Sequence, residues 1–397
     1  MKRDQLSHAV RARLVRLPSP YQAHYGVVPL PPPEEAISLQ LIMLRHGAAN
    51  AALIRVATLA GELADPYLIS RILPRREAVS SSAMEGTNST LDELLSIEET
   101  ETGGSSDAVA QVRDYAQALD RLLPHAAASQ YGIFTTGLVL DLHAAVIRGD
   151  RQYADVPGAL RSRVVWIGGG DIAYSTYNPP PPADVAATLE QSMAYMRAEG
   201  LQLQQQSLIT RMAVAHAHFE AVHPFRDGNG RVGRLLLPLM MAADGQTPLY
   251  LSPYIEAFRP DYNQALRAAQ QRLAWHEMVG FMADAVVGTA EELLRTRSAL
   301  LVLGELWRRR RKFRQGSAAL RALDVLPHYP VLTVNRLAAL LDVSHAAAAT
   351  AVRQLSQAGV LLERTGYARN RVFTAPEALS IINRPFGAAP LLPGQED

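Results

Sequence analysis

Residues 223–234 are the most informative stretch of the chain, because their side-chain types and spacing suit chemistry. They read His-Pro-Phe-Arg-Asp-Gly-Asn-Gly-Arg-Val-Gly-Arg. Pro224 cannot continue a helix, so one helix is predicted to end at His223 and another to begin near Gly230. Between them, Gly228 and Asn229 tolerate positive φ and let backbone N–H groups converge. A loop of this kind at a helix N-terminus binds anions, above all phosphate.

The charged residues of the same stretch fit the transfer of part of a nucleotide to an acceptor. Arg231 and Arg234 are three residues apart and share one helical face, from which both can reach phosphate oxygens. A carboxylate beside phosphates, here Asp227, usually holds Mg²⁺. His223 has an ordinary pKa of about 6.5 and suits the role of a base at neutral pH. The alternative is a capped junction between two helices with no catalytic role.

This stretch resembles the active-site motif of the Fic (Fic/Doc) family, His-x-Phe-x-Asp/Glu-Gly-Asn-Gly-Arg-x-x-Arg, at every defining position. The resemblance extends over about residues 36–287. It implies a helical core that transfers AMP from ATP to a hydroxyl side chain of a protein. By the same resemblance His223 deprotonates the acceptor hydroxyl and Asp227 binds Mg²⁺. Gly228, Asn229 and Gly230 hold the α- and β-phosphates with Arg231 beside them, and Arg234 takes the γ-phosphate.

Two other functions stay open. One is transfer of a different nucleotide or of a phosphate, although Gly230 and Arg231, in place of the lysine-bearing variant of the Doc kinases, favour AMP transfer. The other belongs to a different class, a DNA-binding transcription regulator whose Fic core acts as a sensor.

A short segment upstream, Ser80-Ser81-Ser82-Ala83-Met84-Glu85-Gly86-Thr87, reads as the end of a helix that runs from about Pro66 to Met84, with an interruption at Pro74. Ser81 and Glu85 are four apart and so share one helix face, and Gly86 ends the helix. By itself this is an ordinary helix end. Beside the motif above, it resembles the inhibitory-helix motif of the Fic family, Ser/Thr-x-x-x-Glu-Gly/Asn. That resemblance implies that Glu85 pairs with Arg234 and occupies the γ-phosphate position.

Two further regions have predicted roles in binding. Two β-rich runs, 164–167 and 172–174, flank a glycine-rich turn and predict a β-hairpin. It resembles the Fic flap, on which the target segment docks as an added strand, through Trp166, Ile167, Gly168 and Gly169; the alternative is a hairpin that only covers the core. Tyr254 and Tyr262 lie where an adenine pocket is expected, although aromatic residues there also fit the core.

The rest of the chain predicts a mainly α fold. Apolar residues recur at helical spacing over most of its length. His216 and His218 are assigned to the core or to supporting contacts. The predicted organisation is a helical Fic core with a small β-hairpin flap and a C-terminal winged helix-turn-helix. The expected divisions are 1–107 (N-terminal helical region with the inhibitory helix), 108–290 (catalytic core) and 291–397 (linker helix and winged helix).

The C-terminal region is basic. Residues 291–397 contain 15 basic and 9 acidic residues, a balance of +6, which leaves −5 for the first 290 and +1 overall. An arginine run lies at 308–311, and the helix order from 333 to 373 is that of a winged helix. However, the would-be recognition helix opens His345-Ala346-Ala347-Ala348-Ala349, without the polar side chains that read bases. DNA is therefore a less favoured partner than another part of the chain or another protein.

Composition excludes several classes. The 397 residues are 48% hydrophobic and 19% charged, which is ordinary for a globular protein and excludes a wholly disordered chain. The sequence has no cysteine, so disulfides and a cysteine nucleophile are excluded. No apolar run suits a membrane span or a signal peptide, which favours a cytoplasmic protein. The target protein is unidentified and self-modification is allowed for, as is an oligomer.

Overall fold

The computed structural model describes residues 1–62, 71–100, 106–201, 203, 206–364 and 371–394. Within them the fold is mainly helical, with two small antiparallel sheets, which confirms the predicted fold class at that level. The α-helices in chain order are α1 (His8–Arg11), α2 (Met43–Glu62), α3 (Ile72–Ala83), α4 (Leu91–Thr100), α5 (Asp107–Ser129), α6 (Thr136–Ile147), α7 (Pro182–Met196), α8 (Leu208–Val222), α9 (Asn229–Ala243), α10 (Ser252–Ala257), α11 (Arg259–Arg272), α12 (Trp275–Arg310), α13 (Ala318–Val325), α14 (Val334–Leu341), α15 (His345–Gln357) and α16 (Pro376–Asn383). The strands are β1 (Leu14–Arg16), β2 (Tyr25–Val27), β3 (Val331–Thr333), β4 (Leu362–Glu363) and β5 (Val372–Thr374).

Helices α8 and α9 form the centre of the core. Every residue of α8 is buried, as its alanine-rich and apolar sequence predicts for a helix surrounded by others. It packs against α7, α9, α11 and α12, and α9 packs in addition against α5 and α6. The loop between α8 and α9, residues 223–228, is the motif singled out in the sequence. Its two ends are therefore set by the most rigid part of the fold.

Helix α3 runs without a break through Pro74, where the sequence predicted an interruption. It starts at Ile72, and Pro74 lies in its first turn, where the missing N–H of proline needs no partner. Residues 66–70 of the predicted helix lie outside the described residues. The helix ends at Ala83, so Ser81 belongs to the helix while Glu85 lies in the turn after it, where Gly86 has a φ of +83°.

Residues 164–177 do not form the predicted β-hairpin. One isolated bridge joins Ile167 to Tyr177, and residues 172–174 form a turn of 3₁₀-helix instead of a strand. The Asp171 carboxylate accepts a hydrogen bond from Ala173 N at 2.7 Å and caps that turn, which competes with an extended backbone. Gly168 and Gly169 both have positive φ, so the chain reverses direction early and only one pair stays in register. We call residues 161–178 the flap.

The C-terminal elements follow the order α13, β3, α14, α15, β4, β5. Strand β5 lies between β3 and β4, with Val331 opposite Thr374 and Leu362 opposite the same residue from the other side. This order agrees with the winged-helix prediction, which remains a prediction. The predicted division after residue 290 falls inside α12, a single helix of 36 residues. Among the described residues, no helix is both long and apolar enough to cross a membrane.

The C-terminal elements pack on the segment that follows the predicted inhibitory helix. Helix α4 contacts β3 and β5. Arg336 of α14 donates to Glu99 of α4 at 3.1 Å, and Arg364 forms an ion pair with Asp92 of the same helix. Two arginines of the run at the end of α12 form ion pairs within the C-terminal region, Arg308 with Asp324 and Arg310 with Glu377.

A buried carboxylate, Glu77, fastens α3 to α10. It is 1% exposed and accepts hydrogen bonds from Ser252 N at 2.8 Å and from Ser252 Oγ. The Tyr115 hydroxyl donates a longer bond of 3.3 Å. Burial raises the pKa of Glu77, while these donors lower it. The polar groups around Glu77 are shielded from water, and this side chain is the acceptor for their hydrogen bonds.

We therefore expect Glu77→Ala to lower the free energy of unfolding by about 1–3 kcal/mol, because it leaves the Ser252 N–H and the Tyr115 hydroxyl buried without a partner. Denaturant unfolding measures this change. Glu256→Ala, an exposed position on the same short helix α10, serves as the control and should stay within about 0.5 kcal/mol of wild type. Equal effects of the two substitutions would contradict the assignment.

Candidate active site

The loop between α8 and α9 turns sharply at two left-handed positions. His223, the residue after the last turn of α8, has a φ of 49° and Gly228 has a φ of 77°. The Asn229 side chain closes the loop, because its Oδ1 accepts from Phe225 N and its Nδ2 donates to Phe225 O, both at 2.9 Å. The backbone conformation of the motif is therefore fixed by its own asparagine, which leaves the N–H groups at the start of α9 to face the site.

A buried arginine of the flap holds His223 from behind. Arg161 is 4% exposed, and its guanidinium donates to the carbonyl oxygens of His223 at 2.7 Å, Pro180 at 2.7 Å and Arg163 at 3.1 Å. Burial lowers the pKa of Arg161 to about 10. The guanidinium thus joins the end of α8 to both sides of the flap.

The imidazole of His223 is held in its neutral form. Burial and the charge of Arg161 lower the pKa of His223 to about 4. Its Nδ1 lies 4.0 Å from the Glu220 carboxylate, and burial raises the pKa of Glu220 to about 7. A neutral imidazole at physiological pH can accept a proton, as the predicted role of His223 requires.

Arg231 reaches the site from a buried position. It is 3% exposed, and its Nη1 donates to Gln111 Oε1 of α5 at 2.8 Å and to Val146 O at 3.3 Å. Neither acceptor is a carboxylate, and burial lowers the pKa of Arg231. Its charge is therefore available to a phosphate group at the start of α9.

Arg234 is bound by the segment that the sequence predicted to be inhibitory. Its Nε donates to Ser81 Oγ at 2.9 Å, and its Nη2 donates to Ser81 O at 2.8 Å and to Glu85 Oε1 at 2.6 Å. Arg234 is 2% exposed, whereas the Glu85 side chain keeps 30% of its surface. Burial would raise the pKa of Glu85, but Arg234 and then Arg231 outweigh burial and hold that pKa below its usual range.

The carboxylate of Glu85 lies in the loop itself. A Cβ atom at Gly230 would stand 2.2 Å from Glu85 Oε1 and 2.8 Å from Arg234 Nη1. Only a residue without a side chain leaves room for this carboxylate against the first turn of α9. The position that the sequence predicted for phosphate oxygens is thus filled by a carboxylate of the same chain.

The Asp227 carboxylate lies at the surface of the loop, where a ligand for Mg²⁺ was predicted. Asp227 is exposed, and its Oδ1 accepts from Gly228 N at 2.6 Å. The described residues contain no group of three acidic or histidine side chains able to hold a metal ion. A single carboxylate beside phosphates suits Mg²⁺ that arrives on a nucleotide, since this ion keeps several waters and needs few protein ligands.

The flap residues lie next to this loop. Arg161 connects them to His223, and Trp166 and Ile167 are half-buried while Gly168 and Gly169 are exposed. Tyr262, in contrast, is a core residue at 4% exposure, and its hydroxyl meets His216 Nε2 at 2.8 Å. Tyr254 packs among Phe258, Phe281 and Phe386. These contacts favour the core alternative for both tyrosines over the adenine pocket.

Several residues of the site carry no signal in the sequence. His143 stacks on Phe225 at 3.7 Å, its Nδ1 accepts from Gly158 N at 2.8 Å, and its Nε2 meets Asp227 O at 3.1 Å. Gln111, through Arg231, and Arg259, which donates to Met84 O at 2.9 Å, support the site from other helices. Each makes its contact across a long sequence separation, and none belongs to a local pattern.

Comparison with known proteins agrees with this geometry. Residues 133–241 match the model of the Fic/DOC family, and residues 43–122 match the model described as Fic/DOC family N-terminal. These two stretches of the chain are therefore similar to the Fic/DOC family. The matched regions contain the Fic motif, residues 223–234, and the segment that carries Ser81 and Glu85.

The relatives that the chain matches are distant in sequence. It is 28% identical over 204 residues to a probable protein adenylyltransferase of Aquifex aeolicus, an alignment covering 50% of this chain and 56% of that protein. It is 26% identical over 215 residues to protein adenylyltransferase Fic of Drosophila mojavensis, covering 53% and 39%. The match thus spans about half or less of each relative. A Fic family protein from Desulfovibrio desulfuricans shares the fold, with a TM-score of 0.53, 20% identity, and coverage of 86% of this chain and 98% of that one.

The buried histidines behind the Fic motif make stability depend on pH. Burial lowers the pKa of His218 to about 4, and its Nδ1 meets Ser192 Oγ at 2.7 Å. Because the pKa in the folded state lies below the unfolded value of about 6.5, the neutral form contributes stability above that pH, which is lost as pH falls toward 4. We expect the free energy of unfolding to decrease from pH 7 to pH 5, and the destabilisation caused by His218→Asn to shrink over the same range. Denaturant unfolding at each pH measures both; a destabilisation that stays constant with pH would contradict this account.

Proposed function

We propose that the protein is an adenylyltransferase that moves AMP from ATP to a hydroxyl group of a target protein, with itself as one candidate target. The observation that carries the proposal is the buried Arg234, which with Arg231 and the start of α9 forms a cationic pocket filled by the carboxylate of Glu85. A pocket that holds one anion in this way suits another, and phosphate is the anion that helix N-termini and paired arginines bind. The names of the Aquifex and Drosophila relatives support transfer of AMP.

The reaction assigns one role to each part of the loop. The oxygen of the acceptor hydroxyl attacks the α-phosphorus of ATP, its proton passes to the neutral imidazole of His223, and pyrophosphate leaves. The N–H groups at the start of α9 and the two arginines stabilise the negative charge that develops on the phosphate oxygens. Asp227 would hold Mg²⁺ brought by ATP, and the ion would neutralise part of the same charge. Arg161 keeps the histidine neutral and fixed.

Glu85 is proposed as an inhibitor built into the chain. Its ion pair holds Arg234, and its carboxylate fills the space beside Gly230 where phosphate oxygens are expected. ATP must therefore displace the carboxylate or bind in an orientation that does not react. A charge-assisted hydrogen bond of this kind contributes roughly 1.5–3 kcal/mol, which corresponds to about ten- to a hundredfold in rate.

The C-terminal region is proposed to be a winged helix that contacts the rest of the chain. Support comes from the ion pairs that join α4 to Arg336 and Arg364, and from the pairing of Arg308 and Arg310 within the region itself. These pairs reduce the positive charge that DNA would need. The transcription-regulator alternative therefore has less support than it had from the sequence.

The function is tested with radiolabelled ATP, CTP, GTP and UTP, each incubated with the purified protein and a cell lysate. We expect label from ATP to enter protein, and His223→Ala to reduce this transfer by at least a hundredfold, because the substitution removes the base. Label transferred equally by His223→Ala would contradict the mechanism. A preference for another nucleotide, or transfer of the γ-phosphate alone, would support the alternative reactions.

Inhibition is tested separately. We expect Glu85→Gly to raise AMP transfer about ten- to a hundredfold, and Glu85→Gln to raise it less, since glutamine keeps the size of the side chain but not its charge. Initial rates of incorporation from labelled ATP measure this. Glu93→Gln, a neighbouring acidic position on α4, is the matched control. The inhibition proposal fails if Glu85→Gly is no faster than wild type while His223 is still required.

A further inference from the structure

The first 30 residues carry an unusual charge. They contain five basic residues, Lys2, Arg3, Arg11, Arg13 and Arg16, and one acidic residue, Asp4. All five basic side chains are exposed. The first 290 residues as a whole have a balance of −5, so this segment is a local positive region on a body of net negative charge. Such a distribution of charge points to a partner of opposite charge. The position of the segment in the fold then decides which site that partner would approach.

The segment is attached to the flap. Val27 N of β2 donates to Asn178 O at 2.9 Å, and Asn178 Nδ2 donates to Tyr25 O at 3.0 Å. Strand β1 pairs with β2 on the other side, and the bridge from Tyr177 to Ile167 continues the series into the flap. Neighbouring strands are roughly 4.8 Å apart, so β1 lies about 10 Å from segment 177–178.

The attachment is a packed one. Leu6, Val10 and Val27 share a small apolar core with Tyr177 of the flap and Ala221 of α8. Tyr21 contacts Trp166 edge to face, with ring centroids 5.8 Å apart. The basic side chains therefore stand on a fixed surface that continues from the flap and backs onto the helix leading to His223.

Among the described residues, the arginine side chains of the N-terminal segment contact an aromatic ring or backbone carbonyls instead of carboxylates. Arg3 and Arg16 lie over the Tyr25 ring, at 3.9 and 5.9 Å from its centroid, while Arg11 and Arg13 donate to backbone carbonyls. In the part of the chain that the structure describes, none of the five basic side chains forms an ion pair. Many arginines elsewhere do, as Arg45 does with Asp284 and Arg75 with Glu98. The exposed Arg163 adds a further unpaired cation within the flap itself.

We propose that this surface, formed by Lys2, Arg3, Arg11, Arg13, Arg16 and Arg163 and called the basic docking surface, selects target segments rich in Asp and Glu around the hydroxyl to be modified. The proposal rests on the proposed function and names its substrate class. A target protein that covers about 800 Å² around the flap also covers β1, which is only about 10 Å away. Exposed charges of this kind act mainly on specificity and on the rate of association, and they are screened by salt.

Binding is tested with three fluorescent 15-residue peptides that share a central Ser-Thr-Tyr and differ in their flanks, which are Asp/Glu, Gln/Ser or Lys. Fluorescence anisotropy with the full-length Glu85→Gly protein measures the Kd of each. We expect the acidic peptide to bind at least tenfold more tightly than the neutral one at 50 mM NaCl, since several weak pairs act together. The contrast should largely disappear at 500 mM NaCl.

Charge reversal locates the effect. Arg3→Glu/Arg13→Glu/Arg16→Glu should remove the preference for the acidic peptide. The control, Arg309→Glu/Lys312→Glu/Arg314→Glu, changes the net charge equally in the C-terminal region and should keep it. Thermal unfolding confirms that both variants are folded, and Arg3→Gln/Arg13→Gln/Arg16→Gln, which should bind with intermediate affinity, replaces the first if it is not. The proposal is overturned if acidic and neutral peptides bind equally, if the preference survives the reversal, or if only a single-stranded oligonucleotide binds in a way that depends on these arginines.

Transfer of label separates this inference from the proposed function. With labelled ATP, the acidic peptide should receive AMP at least tenfold faster than the neutral peptide at low salt, with the difference in KM and not in kcat. Equal labelling of both peptides overturns the inference and leaves the transferase intact. Absence of label from every peptide and protein, with the preference in binding retained, overturns the transferase and keeps the acidic-segment surface.

Discussion

The ion pair between Arg234 and Glu85 is the interaction on which the rest of the site depends. Arg234 is almost completely buried, and a buried guanidinium needs an anion to offset the loss of water. In this conformation the anion is the chain's own carboxylate, placed against Gly230 at the start of α9. The most strongly cationic point of the Fic motif is thus stable without nucleotide. Under the proposed function, a nucleotide can replace the Glu85 carboxylate only by supplying comparable negative charge.

The partner of Arg234 is itself held by several distant elements. Helix α3 is fixed by its Glu77, which accepts from Ser252 of α10, and by its Arg75, which binds Glu98 of α4 and Asp120 of α5. Helix α4 is in turn joined to the C-terminal region through Asp92 and Glu99. The helix that leads to Glu85 is thus held by contacts with α4, α5 and α10.

Local sequence patterns predicted the central residues of the site, but they could not predict its long-range contacts. The motif from His223 to Arg234 and the ends of α8 and α9 follow from residue types at fixed spacing, whereas the contact between Glu85 and Arg234 was expected only from the resemblance to the Fic inhibitory helix. The flap failed as a hairpin because the Asp171 cap and two positive-φ glycines override β propensity. Gln111, His143 and Glu77 act across wide separations that spacing does not encode. The sequence predicted no role for the N-terminal segment, because its position beside the flap depends on long-range contacts.

Helix α12 joins the helical core to the C-terminal elements. At 36 residues it is about 54 Å long, and its second half packs Leu300, Leu303 and Trp307 against the C-terminal elements, with Trp307 Nε1 donating to Glu377 at 2.7 Å. The helical core and the C-terminal elements are therefore not interchangeable modules. A shortened form that ended within α12 would expose these apolar side chains to water, which favours aggregation.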